Sequence, residues 1–444
     1  MSEYTEKEES QQVSQRISEL LAEYIRPLLE TLDTQLDKRL VHTFYKTLQV
    51  LIQFRNRHNG LLLSELGGYI LSPEHAPAGT KRLSNLLRSL KWTYQLLERF
   101  LWDKANAQVT ALEAAADEAL VVWDESVLEK SESIALEGLC AVRSSKARRL
   151  KRIKPGYYNP PGGRPICVPG MHWVTVLVLG LQALPTIAAT RWWTTRGKFA
   201  SDKRAEESRL LQQCAQAWGK RVLHIWDRGF AGGPWLAQVS QYQVRFVLRW
   251  PKGYQLVDRH GQSCKAWEIS RGKRSWEYRQ LWDSRRRCYR KTGVYACPVT
   301  HPEYGGPLWL VVSRPGKGRS PWYLLTNEPI PDAEAAWHII FAYARRWQIE
   351  MAYRFSKTEL AMESPRLWRW DNRLKLLLMV TLVHAFLLSL LVPALLPVRQ
   401  DLLRHWCHRT GKRYRDVAIP LYRLRMALSR LWLAYPPPPL QIPG

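Results

Sequence analysis

Acidic side chains are scarce in this chain. Its 39 Asp and Glu stand against 66 Lys and Arg, a net charge of +27. So large an excess argues against a partner that is itself basic. It points to a polyanion, and nucleic acid is the usual one; a ribosomal or membrane surface shares the chemistry. Paired cysteines are also lacking. The seven cysteines are Cys140, Cys167, Cys214, Cys264, Cys288, Cys297 and Cys407, and no two form a C-x-x-C. That excludes the common zinc-finger spacings, and an odd, scattered set fits a reduced, cytoplasmic protein. No internal repeat is visible. No secretory signal is expected from the polar start "MSEYTEKEESQQVSQ".

One long apolar run is present, "LLLMVTLVHAFLLSLLVPALL" from Leu376 to Leu396. It is long enough to cross a bilayer. It also holds His384, Ser389 and Pro393, with Lys375 at its edge. In a basic chain with 21 Trp, the expectation is a buried core helix and no membrane partner.

Residues 1–110 read as helical, from apolar spacing in "SQRISELLAEYIRPLLETL" and "VHTFYKTLQVLIQFR". "LLLSELGGYILS" is expected to break at Gly67-Gly68, and Thr80 to cap the helix after it. That helix carries Lys81, Arg82 and Arg88. Short helices with a basic last member are similar to a helix-turn-helix reader, so a DNA end-binding domain is expected over 1–110.

From about residue 117 the pattern changes. "EALVVWDESVLEK" reads as a short strand ending in Asp124, and "KRVLHIWDRGFAGG" as another ending in Asp227. Between them lies a basic segment without acids that includes Lys146, Arg148 and Arg149, suited to phosphates. Residues 250–330 alternate and carry turn pairs, a β-rich insertion. Its Arg285, Arg286 and Arg287 would line DNA. The division expected is a catalytic α/β domain over 111–249 and 331–398, interrupted by that insertion. A helical and proline-rich tail over 399–444 follows, with "YPPPPLQIPG" outside the core.

"YARRWQIEMAYRFSK" at 343–357 reads as one helix. At about 100° per residue, Tyr343, Arg346, Glu350 and Lys357 fall within roughly 60° of arc. A lone Arg346–Glu350 pair would be an ordinary solvated contact. Two Asp at strand ends, where α/β sheets bind ligands, give the stripe more weight. Three converging carboxylates raise one another's pKa unless a cation joins them. Their hard oxygens suit Mg²⁺ or Mn²⁺, and two such ions serve phosphodiester chemistry.

The spacing Tyr343, Arg346, Glu350, Lys357 resembles the Tyr-Arg-Glu-Lys signature of the insertion-sequence-four family of DDE transposases. "WDRGF" at 226–230 resembles that family's segment around its second Asp, and "WDES" at 123–126 the first, with Ser126 where the family often has Thr. The resemblance spans roughly 117–395. It implies a ribonuclease-H-like sheet carrying Asp124 and Asp227, with Glu350 as third ligand to two Mg²⁺ or Mn²⁺ ions. It implies that Tyr343, Arg346 and Lys357 contact phosphates near the scissile end. "WYLLTNEPI" at 322–330 is similar to the insertion's last strand in hairpin-forming relatives, where a Trp stacks on a flipped base; the counterpart is Trp322.

The resulting expectation is a cytoplasmic, nucleoid-associated prokaryotic transposase. It would bind terminal inverted repeats as a homodimer, cut double-stranded DNA, form hairpins and transfer strands into a target. A ribonuclease-H-fold nuclease without strand transfer is the nearest alternative. A non-catalytic domesticated DNA-binding protein is the other.

Overall fold

The computed structural model describes residues 3–54, 56, 58–130, 135–144, 167–283, 288–316, 318–407 and 421–439. Six helices come first: α1 (Glu3–Tyr24), α2 (Arg26–Gln35), α3 (Lys38–Gln53), α4 (Leu63–Ile70), α5 (Ala76–Arg88) and α6 (Gln95–Ala114). Helix α3 starts sharply because Asp37 accepts from the Leu40 amide at 3.0 Å.

The Gly67-Gly68 pair does not break its helix, contrary to the sequence reading. Helix α4 runs through it, because a side chain at Gly67 would strike Thr80 of α5 and one at Gly79 would strike Gly67. The two glycines let the helices touch. Thr80 is therefore no cap. It lies inside α5 and donates to the Leu63 carbonyl at 3.0 Å.

The strands follow as β1 (Ala119–Glu129), β2 (Cys140–Arg143), β3 (Cys167–Leu179) and β4 (Thr186–Trp193), then α7 (Lys203–Trp218), β5 (Val222–Trp226), α8 (Gly233–Tyr242) and β6 (Arg245–Arg249). β1, β3 and β4 pair antiparallel, while β5 runs parallel to β1 and β6 parallel to β5. The spatial order β4-β3-β1-β5-β6, with helices linking β4 to β5 and β5 to β6, is the ribonuclease-H-like arrangement. β5 is buried at every residue, and apolar apart from His224, because both its faces are covered.

The expected β-rich insertion comprises β7 (Gln255–Val257), β8 (Ser263–Lys265), α9 (Ala266–Ser270), β9 (Glu277–Asp283), β10 (Cys288–His301), β11 (Tyr304–Arg314) and β12 (Trp322–Thr326). It extends the central sheet: β12 pairs with β6, and β11, β10 and β7 follow outward. The chain then forms α10 (Ala333–Ala344), α11 (Trp347–Thr358), α12 (Trp370–Ser389), α13 (Leu396–His405) and α14 (Leu421–Ala434).

One face of the sheet packs on α10–α12 and the other on α7 and α8. Strand alternation divides β1 between them: Leu120, Val122 and Leu128 enter the first core, Val121 and Trp123 the second. Helix α12 is long and apolar enough to cross a membrane, and it is almost wholly buried at the centre of the first core. It stops at Ser389, short of the Leu396 that ended the apolar run, and Pro393 opens a new turn. Helices α1, α3 and α14 join that same core, so Leu428, Leu431 and Trp432 of the C-terminal segment are buried with Ile17 and Leu48.

Candidate active site

Asp124 does not end its strand, as the sequence suggested. β1 continues to Glu129 because its later residues pair along β3, Asp124 itself opposite Thr175. The end that matters belongs to β5. The parallel register stops at Val122 opposite Ile225, so Asp124 and Asp227 lie two residues beyond it on neighbouring strands. Alternation puts Asp124 on the face covered by α10 and α11.

The 343–357 segment is likewise two helices. Helix α10 ends at Ala344 and α11 begins at Trp347. The joint keeps helical dihedrals but tightens: the Arg346 amide bonds Tyr343 and the Ile349 amide bonds Arg346, three residues back. That kink leaves Tyr343 on one helix and Glu350 in the first turn of the next, with Arg346 as hinge.

Arg346 stands among the carboxylates. Its guanidinium lies 3.8 Å from Asp124 and 3.9 Å from Asp227, and it bonds Glu350 directly. Burial would lower its pKa, but Tyr343, Asp227 and Glu350 hold it above the ordinary value. Asp124 is pushed up to about 7. Burial is the main cause, Asp227 and Glu350 add to it, and the Glu125 amide and Arg346 oppose it. The amide bond is 2.8 Å. Asp124 is thus an acid that lacks enough positive charge.

Tyr343 is buried and donates to Asp227 Oδ1 at 3.1 Å. Burial and the Asp227 charge push its phenol up to about 12. Its ring meets Trp322 edge-on, 5.1 Å between centroids. Trp322 is half-buried against the first core. Lys357 lies further along the same face, bonding Ser126 Oγ at 2.7 Å and the Val127 carbonyl at 2.6 Å.

Sequence reasoning missed two neighbours. Tyr353 donates to the Asp124 carbonyl at 2.5 Å and braces β1 from α11. It follows Glu350 by three residues, a helical spacing that could have drawn notice. Arg249 ends "RFVLR" and reaches the Tyr343 phenol. A cation closing an apolar strand was the available signal.

Among the described residues, the other expected DNA contacts lie elsewhere. Lys81, Arg82 and Arg88 are exposed on α5. Arg82 lines a cavity of about 730 Å³ with Lys38, Arg39, His42 and Asn85. Lys146, Arg148, Arg149, Arg285, Arg286 and Arg287 fall outside the described residues.

Among the described residues, no group of three His, Cys, Asp or Glu side chains has the geometry to hold a metal ion. Asp124, Asp227 and Glu350 converge with a guanidinium among them. The donor set still fits a hard divalent cation: its atoms are all oxygen, and Asp124 is the kind of under-compensated acid such an ion would ionise.

No protein family and no curated protein matches this sequence. One solved structure, described as "Cryo-EM structure of piggyBac transposase synaptic complex with hairpin DNA (SNHP)", superposes with a TM-score of 0.42 at 14% identity. The match covers 91% of this chain and 74% of that one. No residue role follows from a superposition at that level.

Proposed function

We propose that this protein is a DNA transposase of the Tyr-Arg-Glu-Lys class, cutting and joining the ends of its own element. The observation that carries the reading is the meeting of Asp124, Asp227 and Glu350 around Arg346, on a ribonuclease-H-like sheet. In this reading the three carboxylates hold two Mg²⁺ or Mn²⁺ ions. The ions, when bound, supply an activated water and stabilise the leaving oxygen.

The chain's own residues do the rest. Arg346, which lies among the carboxylates, would be the guanidinium that pairs with the scissile phosphate. Tyr343 fixes Asp227 and Trp322 together. Lys357 holds β1 beside the strand to be cut, and Trp322 supports an unstacked base during hairpin formation. The helices over 1–110, with Lys81, Arg82 and Arg88, bind the terminal inverted repeats. A homodimer brings two ends together. Hydrolysis frees a 3′-OH, which attacks the opposite strand to form a hairpin and release the flanking DNA. A second water opens the hairpin and restores the 3′-OH, which then attacks target DNA and displaces a target 3′-OH.

The test uses paired inverted repeats from DNA flanking the gene. Purified protein is incubated with an end-labelled repeat and Mg²⁺ or Mn²⁺, beside the Glu350→Gln variant. A nick at the repeat boundary that chases into a hairpin, absent in the variant, supports the reading. A nick with no joined product in a target plasmid reduces it to a nuclease. Binding without cleavage in either metal replaces it with a non-catalytic DNA-binding protein.

A further inference from the structure

β1 alternates, so Asp124 faces α10 and α11 while Trp123 and Glu125 face the second core and α7. There the Glu125 carboxylate bonds the Lys203 ammonium. The same ammonium lies 3.5 Å from the Gly229 carbonyl and 5.4 Å from the Phe230 ring centroid. Gly229 and Phe230 belong to the tight turn that follows Asp227. We propose that Lys203 is a positioning residue: from the reverse face of the sheet it brackets the Asp124 and Asp227 segments and sets the spacing of the two carboxylates for a divalent ion.

Both ends of the bracket lead to an aspartate. The Glu125 amide donates to Asp124 Oδ1 at 2.8 Å, so a shift of Glu125 moves that carboxylate. The Phe230 amide donates to the Asp227 carbonyl at 3.1 Å and closes the turn. Phe230 itself is buried, with its ring centroid 6.4 Å from that of Trp123 and 5.3 Å from that of Trp235. Trp123 directly precedes Asp124. The two aspartate segments therefore meet behind the sheet through rings and through one ammonium.

Lys203 stands in an unfavourable place for a cation that had only its own helix to serve. It is the first residue of α7, after Asp202, which accepts from the Ala205 amide at 2.9 Å. The helix dipole disfavours positive charge in that turn. Glu207, fully buried one turn on, lies 3.5 Å from the ammonium and accepts from Arg204 at 2.9 Å. Glu125 and Glu207 are thus balanced by Lys203 and Arg204, and the Lys203 ammonium reaches β1 and the turn after β5 together. A partly exposed ion pair contributes little to stability by itself. What this one contributes is the placement of two backbone segments. The inference rests on the reading of Asp124 and Asp227 as metal ligands and deepens it.

The experiment reads Mn²⁺ binding to the DNA-free protein, from loss of the free-ion signal in electron paramagnetic resonance. Asp124→Asn defines the part of the binding that belongs to the site. The variants are Glu125→Met, Lys203→Arg, and Lys203→Met combined with Glu207→Gln. The combined variant removes the ammonium and the buried carboxylate together, so it leaves the net charge unchanged and no buried carboxylate without its partner. Glu125→Met and the combined variant should each weaken the Asp124-dependent Mn²⁺ affinity by about tenfold, with duplex DNA affinity changed by less than about twofold. Lys203→Arg should keep most of the affinity. Electrostatics alone gives another pattern: Glu125→Met, which removes a negative charge, would weaken the ion, and the combined variant would not. Wild-type Mn²⁺ affinity in the combined variant overturns the proposal, and so does wild-type affinity in Glu125→Met. A loss in Lys203→Arg as large as in the combined variant overturns it too. Wild type that shows the Lys203-dependent Mn²⁺ affinity yet cuts no DNA ends the transposase reading and leaves the bracket standing. Mn²⁺ binding that Asp124→Asn leaves unchanged overturns the bracket and the metal site together.

Discussion

The Tyr343 hydroxyl donates to Asp227 Oδ1 at 3.1 Å, across the gap between α10 and the end of β5. The bond leaves only one carboxylate oxygen of Asp227 without that donor, so it sets which one a ligand meets. Tyr343→Phe keeps the ring against Trp322 and removes the donor. A hydrogen bond to a charged group contributes about 1.5–3 kcal/mol. The variant should lose DNA cleavage by about tenfold or more while folding normally and binding end DNA as wild type does. Cleavage at the wild-type rate would remove Tyr343 from the site's working parts.

Asp124, Asp227 and Glu350 concentrate negative charge around the single guanidinium of Arg346. Asp124→Asn, Asp227→Asn and Glu350→Gln should each abolish metal-dependent cleavage with DNA affinity retained. The stability effect has a definite sign for Asp124. Its folded pKa, about 7, lies above the ordinary carboxylate value, so its ionised form opposes folding at neutral pH. Asp124→Asn should therefore unfold at a higher temperature than wild type at pH 8, with the gap closing as pH falls toward 4. A lower melting temperature at pH 8 would show that Arg346 compensates the charge fully.

The fold class was legible because its signals are local. "LHIW" is apolar apart from the buried His224, as suits a strand covered on both faces, and the helical spacing of 1–110 is plain. The breaks were not legible. Arg345 and Arg346 keep helical dihedrals while their bonds shift to three-residue spacing. Gly67 looked like a stop because its use, close approach to Gly79, involves another helix. The polar run after Trp123 hid the second half of β1, whose pairing with β3 comes from residues some fifty positions away. The meeting of Arg346 with all three carboxylates needs two strands and a kinked helix at once.

Lys375 ties the first helices to the centre of the protein. It is buried on α12 and donates to the Leu87 carbonyl at 3.1 Å and the Ser89 carbonyl at 2.7 Å. Those carbonyls end α5, where the helix dipole favours a cation. The ammonium also sits 4.6 Å from the Trp92 ring centroid. Lys375→Met fills similar space but leaves the carbonyls unpaired. Urea unfolding should show a loss of about 1–3 kcal/mol. No loss would mean that water or a shifted helix end satisfies those carbonyls.

Two buried histidines give the fold an acid-sensitive range. His224 accepts from Trp123 Nε1 at 3.1 Å and stacks on Trp226 at 5.2 Å, while His384 shares a 3.0 Å bond with Ser356. Burial pushes both down to about 3. The unfolded chain protonates them near 6.5, so folding there requires releasing protons that the native state does not bind. The stability present above pH 6.5 is therefore lost as pH falls from 6.5 toward 3. Within that range each histidine adds a slope of up to about 1.4 kcal/mol per pH unit. His384→Gln can keep a bond to Ser356 and has nothing to titrate. It should start less stable at pH 7.5 through imperfect packing, yet decline less steeply between pH 6 and pH 4, the difference in slope matching one proton. Parallel declines in urea midpoint for the two proteins would show that His384 is protonated in the native state.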